Sequence, residues 1–380
     1  MSNFQAKEGT QIMRIDADKP VPKYLQLKEI IKQYFKNKHY EAGQKILSET
    51  ELIAQFHVSR NTVRQTLAEL ENEGFIYKKH GSGSFFSGKT QEDRQHSYLI
   101  GVITPISSYI YPQIIQGIDD VAHRKRYNIV LGNSRETGGE KELACLERIL
   151  EKNVEGLLVE PAGGSQNLQE SKTFRILKEL TIPVVFMDWA IDDPEVSYVS
   201  LDDVEGGFKA TSYLAEAGHR RIACVYPNDH TPGLQRYKGY RKALEAYKIE
   251  YDSRLDKPGI ILKWNETEYI CKLVKELIDL GGNRPSAVFF FNDNAALRGC
   301  VAIREAELKI PEDISIIGFD DSALAALAEV PLTSVIHPKY QIGRWAAEIL
   351  FEDIEYQGRK TPKQMMINPT IAVRDSVKSL

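Results

Sequence analysis

The segment SETELIAQFHVSRNTVRQTLAELENEG, residues 48–74, decides how the N-terminal part of the chain folds. Ser48 and Glu51 have the spacing of a capping box, which predicts a helix that begins just after Ser48. His57 and Val58 then predict a tight turn, and Ser59 is the expected N-cap of a second helix. That second helix buries one face at helical spacing, formed by Val63, Leu67 and Leu70. Together these signals predict a helix-turn-helix.

The flanking residues complete a small domain over residues 19–88. A helical stripe of apolar residues starts at Tyr24, and Gly74 is placed to end the second helix of the motif. Two short alternating runs, 75–79 and 84–86, surround the sequence His80-Gly81-Ser82-Gly83. Glycines at that place permit a tight turn, so we predict a two-stranded wing. The expected domain is a winged helix-turn-helix.

The polar face of the second helix has the side chains that read DNA. Two arginines one turn apart at a helix N-terminus, Arg60 and Arg64, can each present a bidentate fork to guanine. Either the arginines or the glycine turn alone would favour an ordinary solvated surface, but their order and spacing favour DNA binding. The candidate DNA-binding residues are Lys23, Ser48, Arg60, Asn61, Thr62, Arg64, Lys79, His80 and Gly81.

Charge is distributed unevenly along the chain. Residues 19–88 contain 11 Lys and Arg against 7 Asp and Glu, so this segment carries +4 although the whole chain carries −4. A basic small domain followed by an acidic large one indicates that only the first part meets a polyanion.

The remainder of the chain follows a different pattern. Residues 89–98 are mostly polar and without periodicity, which predicts a linker. Residues 99–380 then alternate short apolar strands with helical stretches, which predicts an α/β fold with parallel sheets. We expect strands at 99–104, 128–131, 156–159, 184–187, 221–225, 287–291 and 315–317.

Polar and aromatic residues follow these predicted strands, where ligands of parallel sheets collect. Carboxylates, amides and arginine forks match vicinal hydroxyls, and aromatic faces cover the apolar side of a sugar ring. Singly, each residue has a plainer role: Asp320 could cap a helix, and Tyr111 or Trp189 could be core aromatics. We expect structural or solvent roles for His219 and His230. The candidate effector-binding residues are Tyr109, Tyr111, Glu160, Asp188, Arg236, Asn292, Asp293, Asp320 and His337.

Residues 19–88 resemble the GntR family of winged helix-turn-helix regulators, on the runs PKYLQLKEII, LSETELIAQFHVSRNTVRQTLAELENEG and HGSGSFF. The resemblance implies a homodimer on double-stranded, pseudo-palindromic operator DNA. It also implies that Lys23, Arg60, Thr62, Arg64 and the wing around His80 contact that DNA.

Residues 99–372 resemble the LacI/GalR effector domain, on runs that include IGVITP, NVEGLLVEP, FFNDNAAL and IPEDISIIGFDDS. The implied fold is that of type I periplasmic sugar-binding proteins, with two lobes, three crossovers and a ligand between them. Arg236, Asp293 and Asp320 would bind sugar hydroxyls. We expect crossovers near Ser200, near His337 and within 355–364, so that one lobe contains about 99–200 and 338–357 and the other 201–337 and 365–380.

This pairing of domains resembles the arabinose repressors, as do residues 108–112 and 159–161. The expected function is therefore a transcriptional repressor of sugar-utilisation genes, released from its operator by a small sugar, with L-arabinose as the leading effector. The alternatives are a repressor responding to another pentose or hexose, and a sugar-binding protein of the transport class.

Other functional classes find little support in the sequence. We find no nucleophile motif, phosphate loop or metal-ligand spacing, so neither an enzyme, a cofactor nor a metal is expected. A GntR regulator with an aminotransferase-like domain would need a cofactor lysine context, which is missing. Four scattered cysteines predict reduced core thiols. Without a secretory signal or an apolar run of about 18 residues, we expect a cytoplasmic, nucleoid-associated protein with no membrane partner.

Overall fold

A computed structural model describes residues 15, 21–37, 40–79, 82–88, 96–105, 109–134, 139–161, 168, 171–356 and 361–380. These residues fall into two compact units, which divide between His96 and Ser97. No helix within the described ranges is long and apolar enough to cross a membrane. The four cysteines, all of them described, are unpaired: Cys145, Cys224 and Cys271 are buried and Cys300 is half-buried.

The described residues of the first unit form three helices and a hairpin. Its elements are α1 Lys23–Asn37, α2 Glu49–Phe56, α3 Arg60–Asn72, β1 Ile76–Lys79 and β2 Gly83–Phe86. The two strands are antiparallel, and Lys79 pairs with Gly83 at the end of the ladder. One apolar cluster holds the unit together; it includes Leu27, Leu52, Val63, Leu67, Leu70 and Phe75. The predicted winged helix-turn-helix is confirmed.

Local signals explain where these helices begin and end. The Ser48 hydroxyl accepts from the Glu51 amide at 3.3 Å, and the Glu51 carboxylate accepts from the Ser48 amide at 2.8 Å, which completes the capping box. Ser59 accepts from the Thr62 amide at 3.1 Å and caps α3. Gly74 follows α3 with a φ of 74°, a left-handed conformation that suits glycine. All three predictions are confirmed.

The second unit alternates strands and helices. Its strands are β3 Leu99–Thr104, β4 Asn128–Asn133, β5 Leu157–Val159, β6 Val184–Met187, β7 Ser197–Leu201, β8 Ile222–Pro227, β9 Asp256–Gly259, β10 Ala287–Phe290, β11 Ser315–Asp320, β12 Thr333–Ile336, β13 Gln364–Ile367 and β14 Thr370–Ala372. Its helices are α4 Tyr111–Arg124, α5 Gly139–Leu150, α6 Lys172–Glu179, α7 Asp203–Glu216, α8 Thr231–Ala246, α9 Thr267–Ile278, α10 Asp293–Glu305, α11 Ala323–Ala326 and α12 Lys339–Glu355.

Two six-stranded sheets organise these elements into two lobes. Lobe 1 contains the sheet β13-β7-β6-β5-β3-β4, and lobe 2 contains the sheet β14-β12-β11-β10-β8-β9. Every neighbouring pair is parallel except β12 and β14. The pair α4 and α12 packs in lobe 1, and the pair α7 and α8 packs in lobe 2. The predicted α/β class with parallel sheets is confirmed, and each of the seven predicted strands is present.

The chain passes three times between the lobes. The first passage follows Leu201 at the end of β7, and the second runs through His337 between β12 and α12. The third passage lies at a different place from the one expected, since the sequence analysis predicted a crossover within 355–364. Because β13 pairs with β7, residues 364–367 still belong to lobe 1, and the chain crosses at Asn368 and Pro369. Strand β13 was not among the predicted strands, because its place is set by pairing with β7, far away in the chain.

Candidate functional site

The exposed face of α3 presents the predicted DNA-reading side chains. Arg60 and Arg64 are 69% and 59% exposed, and Asn61 is exposed beside them. Both arginines converge on one carboxylate: Glu49 lies 3.6 Å from Arg60 Nε and 3.2 Å from Arg64 Nε. Glu49 begins α2 and was missed by the sequence reading. Its ion pairs with Arg60 and Arg64 hold the two guanidinium groups side by side on α3.

The other predicted DNA-binding residues differ in how much their side chains are used within the fold. Ser48 is exposed, but its hydroxyl and amide belong to the capping box. The Thr62 hydroxyl lies 2.8 Å from the Ser59 hydroxyl. Lys23 is exposed as the first residue of α1, and Lys79 is exposed at the end of β1. His80 and Gly81 lie outside the described residues.

An ion network under α3 sets its orientation against α1. Lys28 contacts Glu69 and Glu73 at 2.5 and 3.0 Å, and Lys32 pairs with Glu73 and also lies near Glu29. Burial opposes ionisation of Glu73, but Lys32 and Lys28 outweigh it and hold the pKa of that carboxyl below its usual value. These paired charges form a clamp between α1 and the helix that carries Arg60 and Arg64.

In the second unit, Arg236 is the centre of a polar cluster at the carboxyl ends of the strands. Its side chain is only 7% exposed. Nε donates to Asp203 Oδ1 at 2.7 Å, and Nη1 donates to the Phe291 carbonyl at 2.7 Å and to Asp320 Oδ1 at 3.4 Å. The guanidinium carbon lies 3.5 Å from the Phe319 ring centroid. Desolvation dominates the environment of Asp203 and raises its pKa to about 6, against the opposing effect of Arg236.

Two predicted effector residues of lobe 1, Tyr109 and Asp188, contact lobe 2 and the hinge. The Tyr109 hydroxyl donates to Asp320 Oδ2 at 2.7 Å, and His337 Nε2 lies 2.7 Å from Asp188 Oδ1. Burial and then Asp320 raise the pKa of Tyr109 well above its usual value, so its hydroxyl keeps the proton that it donates. The structure thus brings five of the nine predicted effector residues together: Tyr109, Asp188, Arg236, Asp320 and His337.

The backbone of this cluster is strained. Tyr109, Asp188, Asp320 and Asp321 have φ values of 70°, 55°, 96° and 49°, a region that residues other than glycine rarely adopt. Such conformations persist only where the surroundings enforce them, and they concentrate at functional sites. Lys339 helps to enforce this one, because its buried ammonium donates to the carbonyls of Asp320, Asp321 and His337.

The remaining predicted effector residues have contacts within their own lobes. The Tyr111 hydroxyl donates to Glu160 Oε1 at 2.8 Å, and both side chains are buried in lobe 1. The Asn292 side chain caps α10 by accepting from the Ala295 amide at 2.9 Å. Asp293 is fully buried; it accepts from the Ser334 hydroxyl and the Ser322 amide, each at 2.6 Å. Burial and then Asp320 raise the pKa of Asp293 to about 7.

Aromatic residues that were not among the predicted effector residues line the same region. His230 lies edge-on between Trp189 of lobe 1 and Phe291 of lobe 2, with ring centroids 5.9 and 5.6 Å apart, and Trp264 lies 5.8 Å from Phe291. His230 Nδ1 and Trp264 Nε1 are buried without a hydrogen-bond partner among the described residues. Burial lowers the pKa of His230 to about 3, so its imidazole is neutral. Asp203, which follows the end of β7 and begins α7, was also missed.

Polar groups from two lobes and a hinge, with aromatic edges beside them, thus meet at one place in the second unit. Within the described ranges, no group of three or more His, Cys, Asp or Glu residues is placed to hold a metal ion. The two units thus present different chemistry: exposed arginines on a helix face in the first and a buried polar cluster in the second.

Comparison with known families gives the same two parts. Residues 23–86 match the bacterial regulatory proteins of the gntR family, and residues 211–377 match the periplasmic binding protein-like domain. Among solved structures, the complex of the transcriptional regulator CelR with cellobiose is similar at a TM-score of 0.65 and 26% identity, covering 84% of this chain and 91% of that one. The class is a DNA-binding transcriptional regulator with an effector domain.

Curated relatives extend along nearly the whole chain. The arabinose metabolism transcriptional repressor of Geobacillus stearothermophilus is 33% identical and covers 96% of this chain and 100% of its own length. That of Halalkalibacterium halodurans is 31% identical and covers 91% of this chain and 95% of its own length. The chain belongs to the family of arabinose metabolism transcriptional repressors. It is a transcriptional repressor of sugar metabolism and not an enzyme.

Proposed function

We propose that this repressor binds its operator as a homodimer and is released when L-arabinose enters the cleft between the lobes. The observation that carries the proposal is the cluster centred on Arg236. A guanidinium, three carboxylates and a tyrosine hydroxyl from both lobes meet there beside aromatic edges. Vicinal hydroxyls match such groups, because each hydroxyl donates one hydrogen bond and accepts others. The operator lies in the nucleoid, so the proposed place of action is the cytoplasm.

Within the cleft, we assign different roles to the predicted residues. Arg236, Asp320, Asp188, Tyr109, His337 and Asn292 contact sugar hydroxyls. Asp293 acts behind them by holding Ser322 and Ser334, since both of its carboxylate oxygens are engaged there. Tyr111 and Glu160 form a hydrogen-bonded wall in lobe 1. His230 and Trp264 add nitrogen atoms that a hydroxyl oxygen or hydrogen can satisfy.

Release requires that the sugar bind one arrangement of the lobes more tightly than the other, because equal affinity would shift nothing. Contacts that already cross between the lobes or their hinge include Tyr109–Asp320 and Asp188–His337. A sugar inserted among them exchanges these hydrogen bonds for its own and so changes the angle between the lobes. In a dimer, that change alters the spacing between the α3 helices of the two protomers. The choice of L-arabinose rests on the relatives that are repressors of arabinose metabolism.

The test is to titrate pentoses and hexoses against binding of the full chain to operator DNA. We expect L-arabinose to weaken binding by about 5- to 150-fold, the usual range of allosteric coupling. Arg236→Ala should abolish the response and leave operator affinity unchanged. Arg241→Ala is the matched control, because Arg241 lies on the same helix but stacks on Tyr251 at 3.6 Å. Thermal unfolding verifies that each variant is folded.

Different outcomes decide between the parts of the proposal. A response to another sugar alone would correct the effector and keep the mechanism. If no pentose or hexose changes operator affinity, sugar-induced release is wrong. Equal loss of response in Arg236→Ala and Arg241→Ala would place the effector site elsewhere.

A further inference from the structure

The Lys339 ammonium is buried in a cage of backbone oxygens. It donates to the carbonyl oxygen of Asp320, and to those of Asp321 and His337 at 3.2 Å each. The residue is only 7% exposed. An ammonium has three N–H donors, so these three acceptors use its full capacity. Lys339 therefore holds a definite position and is not a mobile surface lysine.

Two of the three cage oxygens belong to the segment that carries Asp320. We call this segment, residues 320–322, the Asp320 loop. Asp320 and Asp321 both have positive φ, a conformation that the surroundings must enforce. The rest of the loop is anchored within lobe 2: the Asp321 amide donates to Ser334 Oγ at 3.0 Å and the Ser322 amide donates to Asp293 Oδ2 at 2.6 Å. Lys339 is the contact that fixes the loop backbone from outside lobe 2.

Lys339 itself belongs to lobe 1, as the first residue of α12. That helix packs tightly against α4: a Cβ at Gly117 of α4 would collide with the Tyr340 carbonyl, and one at Gly343 of α12 would collide with the Ile114 carbonyl. Backbone-to-backbone contact of this kind makes α4 and α12 move as one body. Tyr109, which donates to the Asp320 carboxylate, lies just before α4. Asp320 is thus held by the starts of both helices of the pair, through its side chain and through its carbonyl.

We propose that Lys339 is a positioning residue that fixes the Asp320 loop of lobe 2 against the α4–α12 pair of lobe 1 and so transmits the effector signal from Asp320 to that pair. Its ammonium contacts protein carbonyls, and the sugar is bound by the other side chains of the cleft. The coupling part rests on the proposed function. Loss of the Lys339 contacts should therefore leave the affinity for sugar largely unchanged and remove the effect of that sugar on operator binding.

The experiment compares Lys339→Met with the parent in the full chain, with L-arabinose as the probe. Methionine keeps the length of the side chain and removes the three donors. Sugar binding, measured by calorimetry, should weaken less than about tenfold, while the ratio of operator affinities without and with sugar should fall to within about twofold of one. Independently of sugar, the Asp321 and Ser322 amides should exchange hydrogen about tenfold faster than in the parent.

Lys209→Met is the matched control. Lys209 is also a lysine at a crossover, where it donates to Asn368 Oδ1 at 2.7 Å and to the Pro369 carbonyl at 2.8 Å, but it does not contact the Asp320 loop. It should keep the parent's response and the parent's exchange at Asp321 and Ser322. If Lys339→Met does not fold, Lys339→Gln replaces it: glutamine is uncharged and its two N–H donors cannot satisfy three carbonyl oxygens, so we expect the same changes with a smaller magnitude.

Three results would overturn the proposal: a folded Lys339 variant that keeps both the sugar response and the slow exchange, loss of sugar binding itself, or an equal effect in Lys209→Met. A parent that responds to no sugar would instead contradict the proposed function. In that case the exchange of Asp321 and Ser322 still decides whether Lys339 fixes the loop.

Discussion

At the scale of single residues, the two candidate binding surfaces use arginine in opposite surroundings. Arg60 and Arg64 are mostly exposed, and they share the Glu49 carboxylate. Arg236 is buried, with its donors directed at Asp203, Asp320 and a carbonyl. An exposed ion pair contributes little and is easily exchanged for a base or phosphate, whereas a buried one fixes geometry. Glu49 therefore orders the two predicted DNA-reading side chains, and as an exposed partner it is expected to compete only weakly with DNA.

Arg60→Ala and Lys79→Ala should distinguish base reading from phosphate contact. Arg60→Ala should cost about 1–3 kcal/mol of operator binding and relax the preference at one base pair, because a bidentate contact to guanine is lost. Lys79→Ala should weaken binding to all sequences similarly and reduce the slope of log affinity against log salt by about 1. Fluorescence anisotropy on operator and scrambled duplexes at several salt concentrations measures both. An Arg60→Ala variant that binds operator as tightly as the parent would show that Arg60 on α3 does not read the operator sequence.

At the scale of elements, α3 depends on the clamp formed by Lys28, Lys32, Glu69 and Glu73. Glu73→Gln should destabilise α3 by about 1–3 kcal/mol, because two buried ammonium groups lose a charged acceptor. The matched control is Glu71→Gln, whose partner Lys78 is 50% exposed, and it should cost less than about 1 kcal/mol. Amide hydrogen exchange along α3 in the full chain measures both.

The same clamp gives a pH dependence of defined sign. The pKa of Glu73 is lower in the folded state, so the unfolded chain binds a proton at this carboxyl more readily. The stabilisation is therefore present above the usual glutamate pKa and is lost as the pH falls through the folded value. Glu73→Gln should lack that component of acid sensitivity. If the variant and the parent lose α3 protection in parallel on acidification, the clamp is not its source.

Elements whose signals are local could be predicted from the sequence, and those defined by distant partners could not. Ser48, Ser59 and Gly74 determine helix ends through neighbours three residues away, and all three predictions are confirmed. Strand β13 depends on pairing with β7, far away in the chain, and the predicted third crossover was wrong for that reason. His230 was given a structural or solvent role because the sequence shows no metal-ligand spacing around it. Its ring neighbours Trp189 and Phe291 come from different lobes, so the sequence could not place these three rings together.

At the scale of the whole molecule, the proposed mechanism is a coupling between two sites, and coupling of binding free energies is reciprocal. If L-arabinose weakens operator binding by a given factor, saturating operator DNA must weaken L-arabinose binding by the same factor. Calorimetric titration of the sugar into the free chain and into the chain bound to operator measures this second factor. A scrambled duplex of equal length is the control, since it supplies the same phosphate charge without the specific contacts of α3.

Agreement of the two factors for the parent should be accompanied by a specific pattern among the variants. Lys339→Met should bind sugar with nearly the same affinity whether or not operator is bound, because its two sites are uncoupled. Arg60→Ala should keep the parent's ratio of sugar affinities without and with operator, because it changes only the strength of DNA binding. A sugar affinity that does not depend on operator, in a parent whose operator affinity does depend on sugar, would violate reciprocity. That result would mean that the sugar acts at a second place or on a different assembly, such as the equilibrium between monomer and dimer.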